Sequence, residues 1–138
     1  MALPGFFTHS ATTRGITVRV APRFLAEQSD PARSHYVWSY HVRVENHGEA
    51  PVQLLRRHWV ITDGDGRVSE IEGEGVVGEQ PHIAPGSSFD YISGCPLPTP
   101  SGSMAGSYTV EGEGGCFAVA IPSFALASHP PSPSPSAA

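Results

Sequence analysis

Residues 35–45 alternate between apolar and polar side chains, and only Val37 departs from the pattern. The apolar positions are Tyr36, Trp38, Tyr40, Val42 and Val44, and the polar ones are His35, Ser39, His41, Arg43 and Glu45. Because successive side chains of a β-strand point to opposite faces, this alternation predicts a strand with one buried and one solvated face. Strands of this kind are typical of antiparallel sheets.

Other segments of the chain predict further short strands and no long helix. These strands are expected at residues 16–20, 51–62, 67–72, 87–93, 108–110 and 117–121. The 15 Gly and 14 Pro of the chain favour tight turns between them. Within 51–62 the apolar residues change parity between Leu54 and Leu55, which predicts a β-bulge near Arg56. Together these features predict an all-β fold, an immunoglobulin/fibronectin type III-like antiparallel β-sandwich of about seven strands.

The 138 residues suit one domain. We expect a flexible N-terminal leader at 1–13, the sandwich domain at 14–127 and a disordered Pro/Ser-rich tail at 128–138. The formal charge is −5 and no basic run occurs, so a nucleic-acid partner is not expected. The chain lacks an apolar stretch long enough to span a membrane and lacks a signal peptide, which predicts a cytoplasmic protein. In that compartment Cys95 and Cys116 are expected to be free thiols.

A glycine-rich segment contains the pattern G-x-G-x-x-G at Gly73, Gly75 and Gly78. In dinucleotide-binding folds such a loop is followed by a helix whose N-terminus faces the pyrophosphate. Here Pro81 follows the loop and no helical pattern succeeds it. The glutamates around the loop are Glu70, Glu72, Glu74 and Glu79.

Three interpretations of this loop stay open. It forms a turn at a sheet edge, it binds an anion such as a nucleotide polyphosphate with help from Arg56 or Arg57, or it binds a divalent cation. The candidate metal ligands are Glu72, Glu74 and Glu79, because hard cations such as Mg²⁺ prefer oxygen ligands. A divalent cation such as Mg²⁺ is the one cofactor that these residues suggest.

The remaining polar residues give no catalytic arrangement. His35, His41 and His47 are six residues apart, about 20 Å along a strand, so no two of them can ligate one metal ion. Asp63-Gly64-Asp65-Gly66 is typical of a hairpin turn. His58 stands between Arg57 and Trp59, where it either packs beside the bulge or contacts an anion or a partner. The sequence contains no Gly-x-Ser-x-Gly, His-Glu-x-x-His or Cys-x-x-Cys motif, and no single region supplies a nucleophile, a base and an orienting group. We therefore expect a protein that is not an enzyme.

Several blocks of the sequence resemble the ApaG family over residues 13–127. They are Glu27-Gln28-Ser29-Asp30-Pro31, Val52-Gln53-Leu54-Leu55, Arg57-His58-Trp59, Gly73-Glu74-Gly75-Val76-Val77-Gly78-Glu79-Gln80-Pro81, Tyr91, Ser93-Gly94, Met104, Gly106-Ser107-Tyr108, Ile121-Pro122 and Phe124. Two positions depart from the family pattern: Arg56 replaces a small polar residue and Cys95 replaces a threonine.

The resemblance implies a fibronectin-type sandwich in a bacterial cytosolic protein, linked by its locus to diadenosine tetraphosphate hydrolysis. The family carries a label for cobalt and magnesium efflux, and related eukaryotic domains occur in an F-box protein and a DNA-polymerase-interacting protein. That setting implies a binding domain with a protein partner. The family's glycine loop, here Gly73, Gly75 and Gly78, is implied as a pyrophosphate site. Both a monomer and a homodimer are compatible with the sequence.

Overall fold

A computed structural model describes residues 6–128, which form two antiparallel sheets packed face to face. The nine strands within these residues are β1 (His9–Thr13), β2 (Ile16–Phe24), β3 (Tyr36–Asn46), β4 (Val52–Asp63), β5 (Val68–Glu74), β6 (His82–Ile83), β7 (Ser88–Leu97), β8 (Ser101–Gly112) and β9 (Gly115–Ala127). One sheet has the order β1-β2-β3-β7. The other has the order β5-β4-β8-β9, with β6 also paired to β4. The predicted all-β sandwich is confirmed.

The core lies between the two sheets and is built from alternate residues of each strand. Of the apolar positions predicted in 35–45, Trp38, Tyr40, Val42 and Val44 are buried. The indole Nε1 of Trp38 also donates a hydrogen bond, 2.9 Å long, to the carbonyl oxygen of Ala127 in the opposite sheet. Burial of these side chains supplies the main driving force for packing one sheet on the other.

The predicted irregularity in β4 is confirmed as a register shift between Leu54 and Arg56 against β8. A bulge adds one residue to one strand and so reverses which face the following side chains occupy. After the shift, Trp59 and Ile61 face the core. Arg57 lies two residues before Trp59, so both side chains are on the same face of the strand. The bulge therefore turns Arg57 toward the space between the sheets.

The prediction of a flexible leader at 1–13 is wrong for His9–Thr13, which pair with β2 from His9 opposite Val20 to Thr13 opposite Ile16. Arg14 and Gly15 connect the two strands with φ angles of 49° and 83°. Two central residues with positive φ form the type I′ turn that matches the twist of a hairpin. The sequence of β1 (His9–Thr13) does not alternate between apolar and polar residues, so no pattern predicts this strand. The tail predicted at 128–138 lies, apart from Ser128, outside the described residues.

The sandwich is closed along one side and open along the other. On the closed side the amide of Ala120 in β9 donates to Thr13 Oγ1 of β1 at 3.1 Å. On the open side, β5 ends one sheet and β7 ends the other, and their side chains face each other across a gap. A 3-10 helix, Ala26–Gln28, lies in the connection between β2 and β3. No helix among residues 6–128 has the length and hydropathy needed to cross a membrane.

Candidate functional site

The glycine-rich segment forms a tight turn at the end of β5. The amide of Val76 donates to the carbonyl of Glu79 at 2.8 Å, and the amide of Glu79 donates back to Val76 at 2.9 Å. The central residues Val77 and Gly78 have φ angles of 43° and 83°, so this is a type I′ turn. Val76 is fully buried and anchors the turn, whereas Val77 is 56% exposed at its tip.

The first two glycines of the pattern are each required by a different close contact. A Cβ atom at Gly73 would lie 2.8 Å from the guanidinium nitrogens of Arg57, so the glycine leaves room for that side chain. A Cβ atom at Gly75 would lie 2.2 Å from the carbonyl oxygen of Glu79, and Gly75 also has a positive φ of 66°. The spacing G-x-G-x-x-G is thus accounted for by an arginine that crosses β5 and by a close turn.

The hydrogen bonds of the loop are directed inward. The Gly75 amide donates to Leu55 at 2.7 Å, and the Val76 and Glu79 amides bond each other's carbonyls. Arg57 Nη1 donates to the carbonyl oxygens of Glu74 and Gly75, at 3.1 and 3.0 Å. After the loop the chain enters β6 and not a helix. The helix N-terminus of a dinucleotide-binding loop is therefore missing from residues 79–83.

Arg57 connects the loop with the space between the sheets. Its neighbour Arg56 lies 4.0 Å from the carboxylate of Glu74. Among residues 6–128, no carboxylate lies within 4.0 Å of Arg57, and its Nε and Nη2 atoms make no hydrogen bond to the protein. The positive charge of Arg57 is thus held by backbone carbonyls and is not neutralised by an acidic side chain.

A mixed cluster of His58, Glu70 and Glu72 lies on the outer face of β4 and β5. The strand register places His58 opposite Glu72. His58 Nε2 is 2.8 Å from Glu70 Oε1 and 4.0 Å from Glu72 Oε2. The three ligand atoms lie within 4.8 Å of one another, and all three side chains reach solvent.

Of the predicted metal ligands, only Glu72 lies beside a second ligand type. Glu74 faces Arg56, and Glu79 lies in the turn. The structure adds Glu70, whose place beside His58 depends on the β4–β5 register. An imidazole and two carboxylates fit a borderline cation such as Co²⁺ better than Mg²⁺, which prefers oxygen ligands and retains water.

A cavity of about 380 Å³ opens between β5 and β7. Its lining residues are Tyr40, Arg57, Trp59, Ile61, Ser69, Ile71, Ser93, Gly94, Cys95, Pro96, Leu97 and Met104. Burial raises the pKa of the Cys95 thiol to about 11, so the thiol is neutral near pH 7. Burial also raises the pKa of Tyr40, against the lowering effects of a Ser93 hydrogen bond and the Arg57 charge. Sequence reasoning missed this cavity, because its walls come from both sheets.

The other predicted histidines form separate local pairs. His41 Nε2 lies 2.9 Å from Asp90 Oδ2, and His47 Nε2 lies 2.8 Å from Glu45 Oε1. His35 is exposed.

The structure brings Arg57 and His58 to opposite faces of the same strand, with the glycine loop next to Arg57. Both cysteines are free, Cys95 buried and Cys116 exposed.

The profile of the ApaG domain matches residues 26–112, a segment that includes β3–β8, the glycine loop and every lining residue of the cavity. The chain belongs to the ApaG family. It is 57% identical to the protein ApaG of Paramagnetospirillum magneticum over 119 residues, covering 86% of this chain and 92% of the relative. It is 56% identical to the protein ApaG of Caulobacter vibrioides, covering 86% and 85%.

Solved structures agree with the ApaG fold. A crystal structure named for the ApaA protein of Bordetella pertussis superimposes with a TM-score of 0.79 at 55% identity, covering 81% of this chain and 92% of that one. A protein from Archaeoglobus fulgidus, at 10% identity and a TM-score of 0.52, shares the fold alone. The family and the ApaG-domain sandwich expected from the quoted sequence blocks are confirmed.

Proposed function

We propose that this ApaG domain is a non-enzymatic binding domain that accepts an extended segment of a protein partner on the outer edge of β5. The observation that carries the proposal is that β5 ends its sheet, so one of its edges is unpaired among residues 6–128. An open strand edge presents a row of amide and carbonyl groups that can pair with an added strand.

The ladder between β4 and β5 defines which groups are available. The Gly75 amide bonds Leu55, and the Asp63 amide bonds the Arg67 carbonyl. Since backbone groups alternate in direction along an antiparallel strand, the residues of odd number in 67–75 face β4. The backbone groups of residues 68, 70 and 72 therefore face outward.

The side chains of β5 define the chemistry of the partner. Glu70 and Glu72 lie on the outer face, whereas Ile71, 44% exposed, lies on the cavity face. Val68 is 60% exposed at the start of the strand. A partner segment that alternates basic and apolar residues would complement both faces, because opposite charges and apolar pairs across strands are stabilising.

The test uses a soluble peptide that alternates arginine and valine, titrated into ¹⁵N-labelled protein. We expect amide shifts along β5 and slower hydrogen exchange at Glu70 and Glu72, whose amides gain acceptors. The double variant Glu70→Lys/Glu72→Lys should lose binding, while the matched control Glu111→Lys/Glu113→Lys on the β8–β9 hairpin should retain it. Equal loss in both variants, or exchange at Glu70 and Glu72 that the peptide does not slow, would contradict strand addition.

A second candidate function is the binding of a divalent cation by His58, Glu70 and Glu72. The three ligand atoms within 4.8 Å of one another favour it. It would connect this domain with the cobalt and magnesium label that the family resemblance implies. Calorimetry should show heat with Co²⁺ that is lost in His58→Gln and retained in His35→Gln. If His58→Gln leaves the heat of Co²⁺ binding unchanged, the cation does not bind at His58, Glu70 and Glu72.

The nucleotide polyphosphate alternative places the ligand on Gly73, Gly75 and Gly78 with Arg57. Its support is the positive charge of Arg57 beside the loop. Calorimetry with diadenosine tetraphosphate decides it: heat that disappears in Arg57→Met supports the alternative, and no heat at millimolar ligand ends it. Turnover of the same compound by the purified protein would contradict the non-enzymatic part of the proposal.

A further inference from the structure

The cavity between β5 and β7 has the size and lining of a small-molecule site. Its volume of about 380 Å³ lies at the lower end of the range for ligand pockets, roughly 300–1,000 Å³. The position between two terminal strands gives it a mouth that no other strand of residues 6–128 covers. A ligand could therefore enter without separating paired strands.

The cavity walls are apolar and aromatic. Trp59, Tyr40 and Met104 are exposed by 2%, 6% and 1%, and the ring centroids of Tyr40 and Trp59 are 5.2 Å apart in an edge-to-face arrangement. The polar groups of the wall are few: those of Arg57, Ser69 and Ser93, and the hydroxyl of Tyr40. A flat apolar body suits such walls, and the few polar groups would fix its orientation.

Arg57 gives the cavity a positive charge that the protein does not neutralise. Two loop carbonyls hold Nη1, which fixes the guanidinium in place, while Nε and Nη2 have no protein acceptor within residues 6–128. Cys95 does not compensate the charge, because burial keeps its thiol neutral. Burial raises the pKa of Tyr40, Tyr91 and Tyr108, and the positive charge of Arg57 opposes that rise.

We infer that this cavity binds a small aromatic anion, with the ring against the apolar wall that includes Trp59 and Met104 and the carboxylate or other anionic group on the free N–H groups of Arg57. The ligand class follows from the two halves of the site. An arginine fork binds carboxylates with two parallel hydrogen bonds, and the aromatic walls supply contact area. This inference does not depend on the protein partner proposed for the β5 edge.

Met104 provides a direct probe of the cavity. The chain contains 2 methionines, Met1 and Met104, so protein labelled with [¹³C-methyl]methionine gives two methyl signals. Titration with 2-naphthoate should shift the Met104 signal saturably and leave the Met1 signal in place. The neutral analogue 2-naphthalenemethanol should bind at least about tenfold more weakly, which corresponds to one charge-assisted hydrogen bond of about 1.4 kcal/mol or more.

Two variants separate the anion site from the apolar walls. Arg57→Met should weaken 2-naphthoate about tenfold or more and leave the alcohol little changed, whereas the matched control Arg67→Met should bind 2-naphthoate normally. Ser69→Phe, which leaves Arg57 intact and narrows the mouth, should weaken both compounds. A Met104 signal that does not move at millimolar 2-naphthoate would overturn the inference. Equal affinities for the acid and the alcohol would overturn the role of Arg57.

Discussion

The guanidinium of Arg57 passes directly over Gly73 on the neighbouring strand, at a distance that leaves no room for a Cβ atom there. Arg57 then reaches the carbonyls of Glu74 and Gly75 and fixes the end of β5. The first glycine of the G-x-G-x-x-G pattern thus leaves room for an arginine side chain. This pair links the glycine loop, the open edge of β5 and the cavity between the sheets.

The first prediction concerns Gly73→Ala. The added methyl group displaces a flexible guanidinium rather than backbone, so we expect a loss of about 1 kcal/mol in the free energy of unfolding as the Arg57 hydrogen bonds break. Urea denaturation measures it. In an Arg57→Met background the same substitution should cost little, since the displaced group is absent. Gly114→Ala, where a Cβ atom meets nothing within 4 Å, is the control. Additive effects of Gly73→Ala and Arg57→Met would contradict the coupling.

Gly75→Ala should be far more damaging than Gly73→Ala. Its Cβ atom would meet the backbone carbonyl oxygen of Glu79 at 2.2 Å, and the residue has a φ of 66°. Backbone cannot yield as a side chain does, so we expect a loss of about 3 kcal/mol or more in unfolding free energy. Gly78→Asn is the control, because the space around Gly78 is open and asparagine tolerates positive φ. A mild Gly75→Ala variant would show that the turn relaxes.

Replacement of Val77 by asparagine should stabilise the protein. Val77 has a φ of 43°, a conformation that β-branched residues avoid, and its side chain is exposed at the tip of the turn. Asparagine followed by Gly78 is the preferred pair for a type I′ turn. We expect a gain of about 1 kcal/mol in the free energy of unfolding, measured by chemical denaturation. Val68→Asn, at an exposed position without positive φ, should give no gain, and a gain of equal size there would remove the conformational explanation.

The pairing of Asp90 predicts a pH dependence of stability. Burial raises the pKa of Asp90, but hydrogen bonds from Arg43 and His41 outweigh it and lower the pKa below its ordinary value. The stabilisation is therefore complete above the unfolded value, about pH 3.9, and disappears as the pH falls through the lower folded value.

Unfolding of wild type and Asp90→Asn, measured from neutral to acid pH, tests this dependence. We expect wild type to be more stable at neutral pH by less than about 1 kcal/mol, since the pair is partly exposed, and the difference should vanish in acid. In an Arg43→Met background the difference should shrink at neutral pH. A difference that persists below the folded pKa would contradict the electrostatic explanation.

The two thiols should differ in reactivity. Cys95 is buried with a pKa raised to about 11, whereas Cys116 is exposed. Because the thiolate is the reactive form, we expect one fast reaction with a disulfide reagent in the native protein and two in denaturant. Cys116→Ser should remove the fast reaction and Cys95→Ser should preserve it. A fast reaction in native Cys116→Ser would contradict the protection of the Cys95 thiol by burial.

The site was only partly predictable from the sequence. The residue types of Arg57, His58 and the loop glycines singled them out as candidates within residues 57–78. Their relations were not predictable, because Glu70 approaches His58 only through the pairing register of β4 and β5. The parity change in 51–62 did predict the bulge, but not that it would turn Arg57 into the space between two sheets.

The sequence by itself determined most of the strands and the bulge in β4, because side-chain alternation and glycine or proline punctuation are local properties of the backbone. It failed at His9–Thr13, whose pairing depends on a type I′ turn and not on apolar alternation. Only the tertiary structure decided that Gly73 gives way to Arg57 and that Tyr40, Trp59 and Cys95 surround one cavity. Those residues come from different strands, and their distances depend on register and sheet packing, which no local pattern encodes.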